Sequence, residues 1–172
     1  QDILQIIDLN HIGILGHSFG GATSIYSTYS DNRIDACINL DGWLVVVPDE
    51  IINNGITQDF MYIGQDKWWD ELNYKKLNQF IESNSSSSKI LIPGTTHYDF
   101  SDMPILSSAG KILGKSGKKI NKNDLKNVLN KLIISFFNKN LKNSPSDINY
   151  YDFATKYKVS MIIEQFEETS DK

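Results

Sequence analysis

Short apolar runs alternate with amphipathic stretches along most of this chain. His11–Leu15 ("HIGIL"), Ile34–Leu40 ("IDACINL"), Phe60–Ile63 ("FMYI") and Lys89–Pro93 ("KILIP") have the length and composition of buried strands. The stretches between them read as helices. Gly20–Ser30 sets small residues on one side and Ile25, Tyr26 and Tyr29 on the other, as in a helix packed closely on a sheet. Asp70–Ser83 places Leu72, Leu77, Phe80 and Ile81 at helical spacing. Farther on, Asn123 or Asp124 can cap a long helix with the stripe Leu125, Val128, Leu129, Leu132, Ile133, Phe136 and Phe137, which Ser144-Pro145 ends.

The remaining pattern is weaker. Asp2–Leu9 reads as the tail of a helix, "DNR" and "NNG" as turns, and "NSSSS" at 84–88 as a polar surface loop. Residues 144–172 form a weakly patterned tail, with the acidic "EQFEETSDK" frayed at its end. Strand and helix alternating with short connections argue for a mainly parallel α/β sheet of about four strands, covered on both faces. In such sheets the chemistry gathers at the carboxyl ends of the strands.

Composition narrows the function class. The chain has 172 residues, enough for one domain with a core, and 40% are apolar. A net charge of -4 leaves no electrostatic footprint for nucleic acid. The one cysteine, Cys37, lies in an apolar run and reads as a core residue. No apolar run approaches the roughly 18 residues of a membrane helix. No C-x-x-C, H-E-x-x-H or calcium-loop pattern is present, so neither a metal nor a cofactor is expected. "GKILGKS" at 110–116 has three residues between its glycines where a phosphate-binding loop needs four, and reads as a basic loop.

The candidate chemistry begins at "HIGILGHSFGG". Gly16-His17-Ser18-Phe19-Gly20 matches G-x-S-x-G, with a strand before it and a helix after it, the context of a nucleophile elbow. There the Phe19 backbone N–H can donate to a developing oxyanion at a helix N-terminus. A serine needs a base to take its proton. His11 opens a strand and His17 sits inside the turn, whereas His97 follows the last predicted strand and is placed to reach Ser18. The base needs an acid, and two strand-end aspartates compete for that role, Asp41 and Asp66.

On these residues the chain resembles the α/β-hydrolase superfamily. More narrowly it is similar to the plasma and intracellular type II platelet-activating factor acetylhydrolases and their bacterial relatives. The resemblance runs from about Asp8 to about Gly117, through "HIGILGHSFGGATSI", "DNRIDACINLDGW", "IPGTTHYDFSDMP" and "SSAGKILGK". It implies the C-terminal, catalytic part of an α/β-hydrolase domain over 1–143, followed by the 144–172 tail. It favours Asp41 over Asp66 as the acid, giving Ser18, Asp41 and His97, with Phe19 in the oxyanion hole. The implied activity is calcium-independent hydrolysis of short acyl esters, including the sn-2 acetyl group of platelet-activating-factor-like phospholipids. The expected partner is therefore a small-molecule or lipid ester.

The resemblance also implies peripheral contact with a lipid surface near Ser108–Lys115, using Ile105, Leu106, Ile112 and Leu113. In that family an N-terminal half with the second oxyanion donor precedes the elbow, and this chain begins one helix before the elbow strand. The other readings are a general carboxylesterase or lipase, or an inactive truncated hydrolase.

Overall fold

A computed structural model describes residues 6–68, 70–102, 120–142, 144 and 150–167. In chain order the elements are β1 (Ile12–His17), α1 (Phe19–Ser30), β2 (Ile34–Leu40), a 3-10 turn (Leu44–Val46) and α2 (Asp49–Asn54). Then come β3 (Asp59–Gln65), α3 (Glu71–Glu82), β4 (Ser86–Ile92) and a second 3-10 turn (His97–Phe100). Last are α4 (Lys122–Lys142), α5 (Tyr150–Tyr157) and β5 (Ile162–Glu167).

The strands lie in the order β1-β2-β3-β4-β5; the first four are parallel and β5 runs antiparallel to β4. Parallel neighbours laid down in sequence order and joined by right-handed crossovers put their connecting helices on one face. Helices α1, α2 and α3 accordingly share a face, packing Ile25, Ile51, Leu77 and Phe80 against Cys37, Phe60 and Tyr62 of the sheet. The alternate residues, Ala36, Ile38, Met61, Ile63 and Ile90, point the other way onto Leu125, Val128, Leu132 and Phe136 of α4. Burial pushes the Cys37 thiol up to about 12, consistent with its place in the core.

Several expectations shift. The sheet has five strands rather than about four, because part of the C-terminal tail builds β5. Ile163 packs with the α4 face and Phe166 with the opposite one. The mostly buried Lys89 of β4 ties the strand down through Glu164 at 2.6 Å, while also reaching Asn78 of α3 at 3.0 Å. Ser86–Ser88, read as loop, begin β4 because they pair with β3 on one side and β5 on the other. Neither Asn123 nor Asp124 caps α4. The side chain of Asn121 accepts their backbone N–H groups, at 2.9 and 3.4 Å. Ile6–Leu9 are not helical, and the rest of the expected N-terminal helix lies outside the described residues. So does the lipid-contact stretch with Ile105, Leu106, Ile112 and Leu113, together with "GKILGKS".

Candidate active site

Register decides which side chains can meet. At the carboxyl edge His17 of β1 pairs with Leu40 of β2, and Leu40 pairs with Ile63 of β3. The ladder continues one step beyond the strands: Ser18 N–H donates to Leu40 O at 3.1 Å, and Asp41 N–H to Ile63 O at 2.7 Å. Ser18 and Asp41 therefore stand side by side at the rim.

Both have left-handed backbones, with φ 59° at Ser18 and 46° at Asp41. Such a conformation costs a non-glycine residue on the order of 1–3 kcal/mol, and it recurs where function needs a side chain held out. The turn is sharp enough that a Cβ on Gly16 would collide with the backbone carbonyl of Gly20, so glycine is required there by close approach. The Ser18 carbonyl is engaged in turn, accepting from Gly21 N–H at 3.0 Å and Trp43 N–H at 3.1 Å.

His97 reaches back to this rim from the loop after β4. Its Nε2 lies 2.8 Å from Ser18 Oγ and its Nδ1 lies 2.7 Å from Asp41 Oδ2. With a proton on Nδ1, the ring donates to Asp41 and accepts the Ser18 hydroxyl. A capping box holds the loop: Thr96 N–H donates to Asp99 Oδ2 at 2.8 Å and the Thr96 side chain accepts from the Asp99 backbone N–H, while Thr96 Oγ1–H also donates to Asp99 Oδ2 at 3.0 Å. His17 Nε2–H donates to the His97 carbonyl at 2.9 Å, and burial lowers the pKa of His17, favouring its neutral ring. The rings of His17, Trp68 and Tyr98 surround His97, with centroids at 4.6, 5.2 and 5.8 Å.

Asp41 is completely buried and both of its oxygens accept. Oδ1 takes Gln65 N–H at 2.9 Å, Trp68 Nε1–H at 3.0 Å and the Tyr62 hydroxyl at 3.3 Å. Oδ2 takes Gln65 Nε2–H at 2.9 Å besides His97. Glycine is needed at 64 to admit the carboxylate, since a Cβ there would sit 2.6 Å from Asp41 Oδ1. A hydroxyl bonded to an imidazole whose far nitrogen meets a buried carboxylate can lose its proton to that imidazole.

The sequence profile of the platelet-activating factor acetylhydrolase, isoform II family matches residues 1–158. The chain belongs to this family. It is 30% identical over 138 residues to the platelet-activating factor acetylhydrolase of Gallus gallus, covering 78% of this chain and 32% of that one. To the Cavia porcellus protein of the same name it is 30% identical over 144 residues, covering 82% and 32%. A probable 1-alkyl-2-acetylglycerophosphocholine esterase of Arthroderma benhamiae is 32% identical over 119 residues, covering 62% of this chain and 30% of the relative. The chain thus spans about a third of the length of these relatives. Among solved structures, a ferulic acid esterase from Streptomyces cinnamoneus superposes with a TM-score of 0.72 at 22% identity, over 91% of this chain and 48% of that one. The fold is that of the α/β hydrolases.

Of the residues singled out in this family member's sequence, Ser18, Asp41 and His97 come together. Asp66 does not join them: its Oδ1 accepts from Gly94 N–H at 3.3 Å, bracing the loop that carries His97. Phe19 opens α1, where the first backbone N–H groups have no partner within the helix, and its side chain is exposed. His11 lies at the other end of β1 and pairs with Asp8 on the surface. Sequence reasoning missed Tyr62, Gln65 and Trp68. Their nearness to Asp66, the rival acid, is the available signal, and it points to the end of β3 and the loop after it for a different purpose.

Proposed function

We propose that this chain carries the nucleophile, base and acid of a carboxylic ester hydrolase. The observation that supports this reading best is the relay Ser18 Oγ to His97 Nε2 at 2.8 Å and His97 Nδ1 to Asp41 Oδ2 at 2.7 Å. Ser18 Oγ attacks the ester carbonyl as His97 takes its proton, and the Phe19 N–H donates to the carbonyl oxygen as its charge grows. The tetrahedral adduct expels the alcohol, which leaves with the proton from His97. Water then gives a proton to His97 and attacks the acyl-serine, and the serine leaves with that proton as the free acid departs. Asp41 holds the imidazole in the tautomer that each step needs.

For substrate, the names of the relatives support a short sn-2 acyl chain on a platelet-activating-factor-like phospholipid. A small acyl site rejects longer chains at roughly 1–3 kcal/mol per methylene. The organisation that goes with this reading is a catalytic part over 1–143, to which β5 adds an edge strand from the C-terminal region.

A fluorophosphonate probe tests the chemistry. It is expected to label Ser18, and Ser18→Ala should abolish labelling; equal labelling of the variant would overturn the mechanism. An ester series from acetyl to palmitoyl, run with and without EDTA, then tests the substrate class. Rates falling with chain length and indifferent to chelator are expected. Preference for long chains would make the protein an ordinary lipase.

A further inference from the structure

Trp68 touches both partners of the imidazole–carboxylate pair. Its indole N–H donates to Asp41 Oδ1 at 3.0 Å, and its ring meets the His97 ring at 5.2 Å between centroids and 69° between planes. The other donors to Oδ1 belong to β3 itself: the Gln65 backbone and the buried Tyr62. Trp68 instead comes from the loop after β3 and is partly exposed.

We propose that Trp68 is a positioning residue for proton transfer, acting through the orientation of the Asp41 carboxylate and through its contact with the His97 ring. This rests on the serine-hydrolase reading above. The physical case has two parts. A carboxylate turns easily about its terminal torsion, which has broad, roughly two-fold wells. Only Oδ2 faces Nδ1 of His97, so whatever pins Oδ1 keeps Oδ2 aimed. Trp68 pins Oδ1 from outside the sheet while the Gln65 backbone pins it from within. Second, the imidazole becomes imidazolium in the transition state. Trp68 packs its ring against His97 and so limits rotation of the imidazole, while the aimed carboxylate stabilises the imidazolium as it forms. Trp68 therefore favours the transition state over the ground state, and its effect falls on kcat.

The experiment compares Trp68→Phe, which keeps a ring and loses the donor, with Trp68→Leu, which loses both. With p-nitrophenyl acetate, Trp68→Phe should lower kcat about tenfold with KM unchanged, the range expected for one hydrogen bond to a charged group. Trp68→Leu should lose more, so that the aromatic variant is a partial rescue. In an Asp41→Asn background Trp68→Phe should change kcat little, since a residue acting through Asp41 has nothing left to orient. Benzothienylalanine at 68, the isostere with sulfur in place of N–H, reads the donor alone if Trp68→Phe does not fold. Wild-type kcat in that isostere, or a loss carried wholly by KM, overturns the proposal. Ser18→Ala run alongside separates the two readings. If it stays active the serine mechanism has failed, whereas an inactive Ser18→Ala beside a Trp68 series with unchanged kcat rejects only the role of Trp68.

Discussion

Asp41 and Asp66 close adjacent strands at the same edge of one sheet, yet the structure surrounds them differently. Asp41 is completely buried, with donors on both oxygens and His97 at 2.7 Å. Asp66 is partly exposed and accepts a longer bond of 3.3 Å from the Gly94 backbone. The cause is stagger. Strand β2 ends at Leu40 opposite Ile63, whereas β3 runs on to Gln65. Gly64 and Gln65 therefore rise beside Asp41, one leaving room for its carboxylate and the other donating from backbone and side chain. Asp66 emerges beyond this overhang, where the loop after β4 meets it first. Strand-end position makes an aspartate available; the overhang of the next strand decides which one is encased.

The hardest test of this contrast is to neutralise each carboxylate in turn. Asp41→Asn should lower kcat by on the order of 10⁴, since an amide in that place favours the wrong imidazole tautomer. Asp66→Asn keeps an acceptor for Gly94 and should stay within about tenfold of wild type, because it alters only a loop hydrogen bond. Steady-state kcat for the two variants decides the matter. If Asp66→Asn shows the larger loss, the acid belongs to the later strand and the overhang argument fails.

A second test attacks the overhang itself. Gly64→Ala would set a Cβ 2.6 Å from Asp41 Oδ1 and 2.5 Å from the Tyr62 hydroxyl. Overpacking of that kind costs typically 1–3 kcal/mol of stability. It should also lower kcat by about ten- to a hundredfold, because the displaced carboxylate no longer lines up with His97. Chemical denaturation and kcat measured on the same preparation read both effects. Full activity in a folded Gly64→Ala protein would show that the carboxylate tolerates movement the geometry says it should not.

The sequence made some of this legible. The turn around Ser18 has a local signature, glycines in a strand-to-helix junction, and the structure has β1 and α1 meeting there. His97 was marked by its place after the last parallel strand. Asp41 and Asp66 could not be separated by residue chemistry, because stagger between strands leaves no trace in either segment; the family resemblance chose between them. Tyr62, Gln65 and Trp68 carry no motif, and their importance exists only once β3 lies beside β2. Ser86–Ser88 and Ile162–Glu167 were misread for a related reason. A serine run and an acidic tail become strands when neighbours supply ladder bonds, and Lys89 gives Glu164 a partner.

The smallest expected effect concerns the other anchor of the His97 loop. Asp66 holds that loop through Gly94, while His17, at the end of β1, holds it through the His97 carbonyl at 2.9 Å. Burial is the main cause that lowers the His17 pKa from its ordinary 6.5, and it outweighs the bond to the His97 carbonyl, which raises it. Above pH 6.5 the ring is neutral in both folded and unfolded chains and contributes no pH dependence. As pH falls below 6.5 the unfolded chain takes up the proton first, so stability is lost from there down through the folded value. A single such group sets a slope of at most about 1.4 kcal/mol per pH unit. His17→Gln keeps an N–H for the His97 carbonyl and removes the titration. Denaturation midpoints between pH 7 and pH 5 should therefore fall less steeply in the variant than in the wild type, with the two nearly parallel above 6.5. Stability is the proper readout, because His97 takes part in the proposed chemistry and activity would not isolate His17. Identical slopes below 6.5 would mean that the His17 ring is solvated in the native state. The His97 loop would then rest on its other contacts, among them the Gly94–Asp66 bond and the capping box.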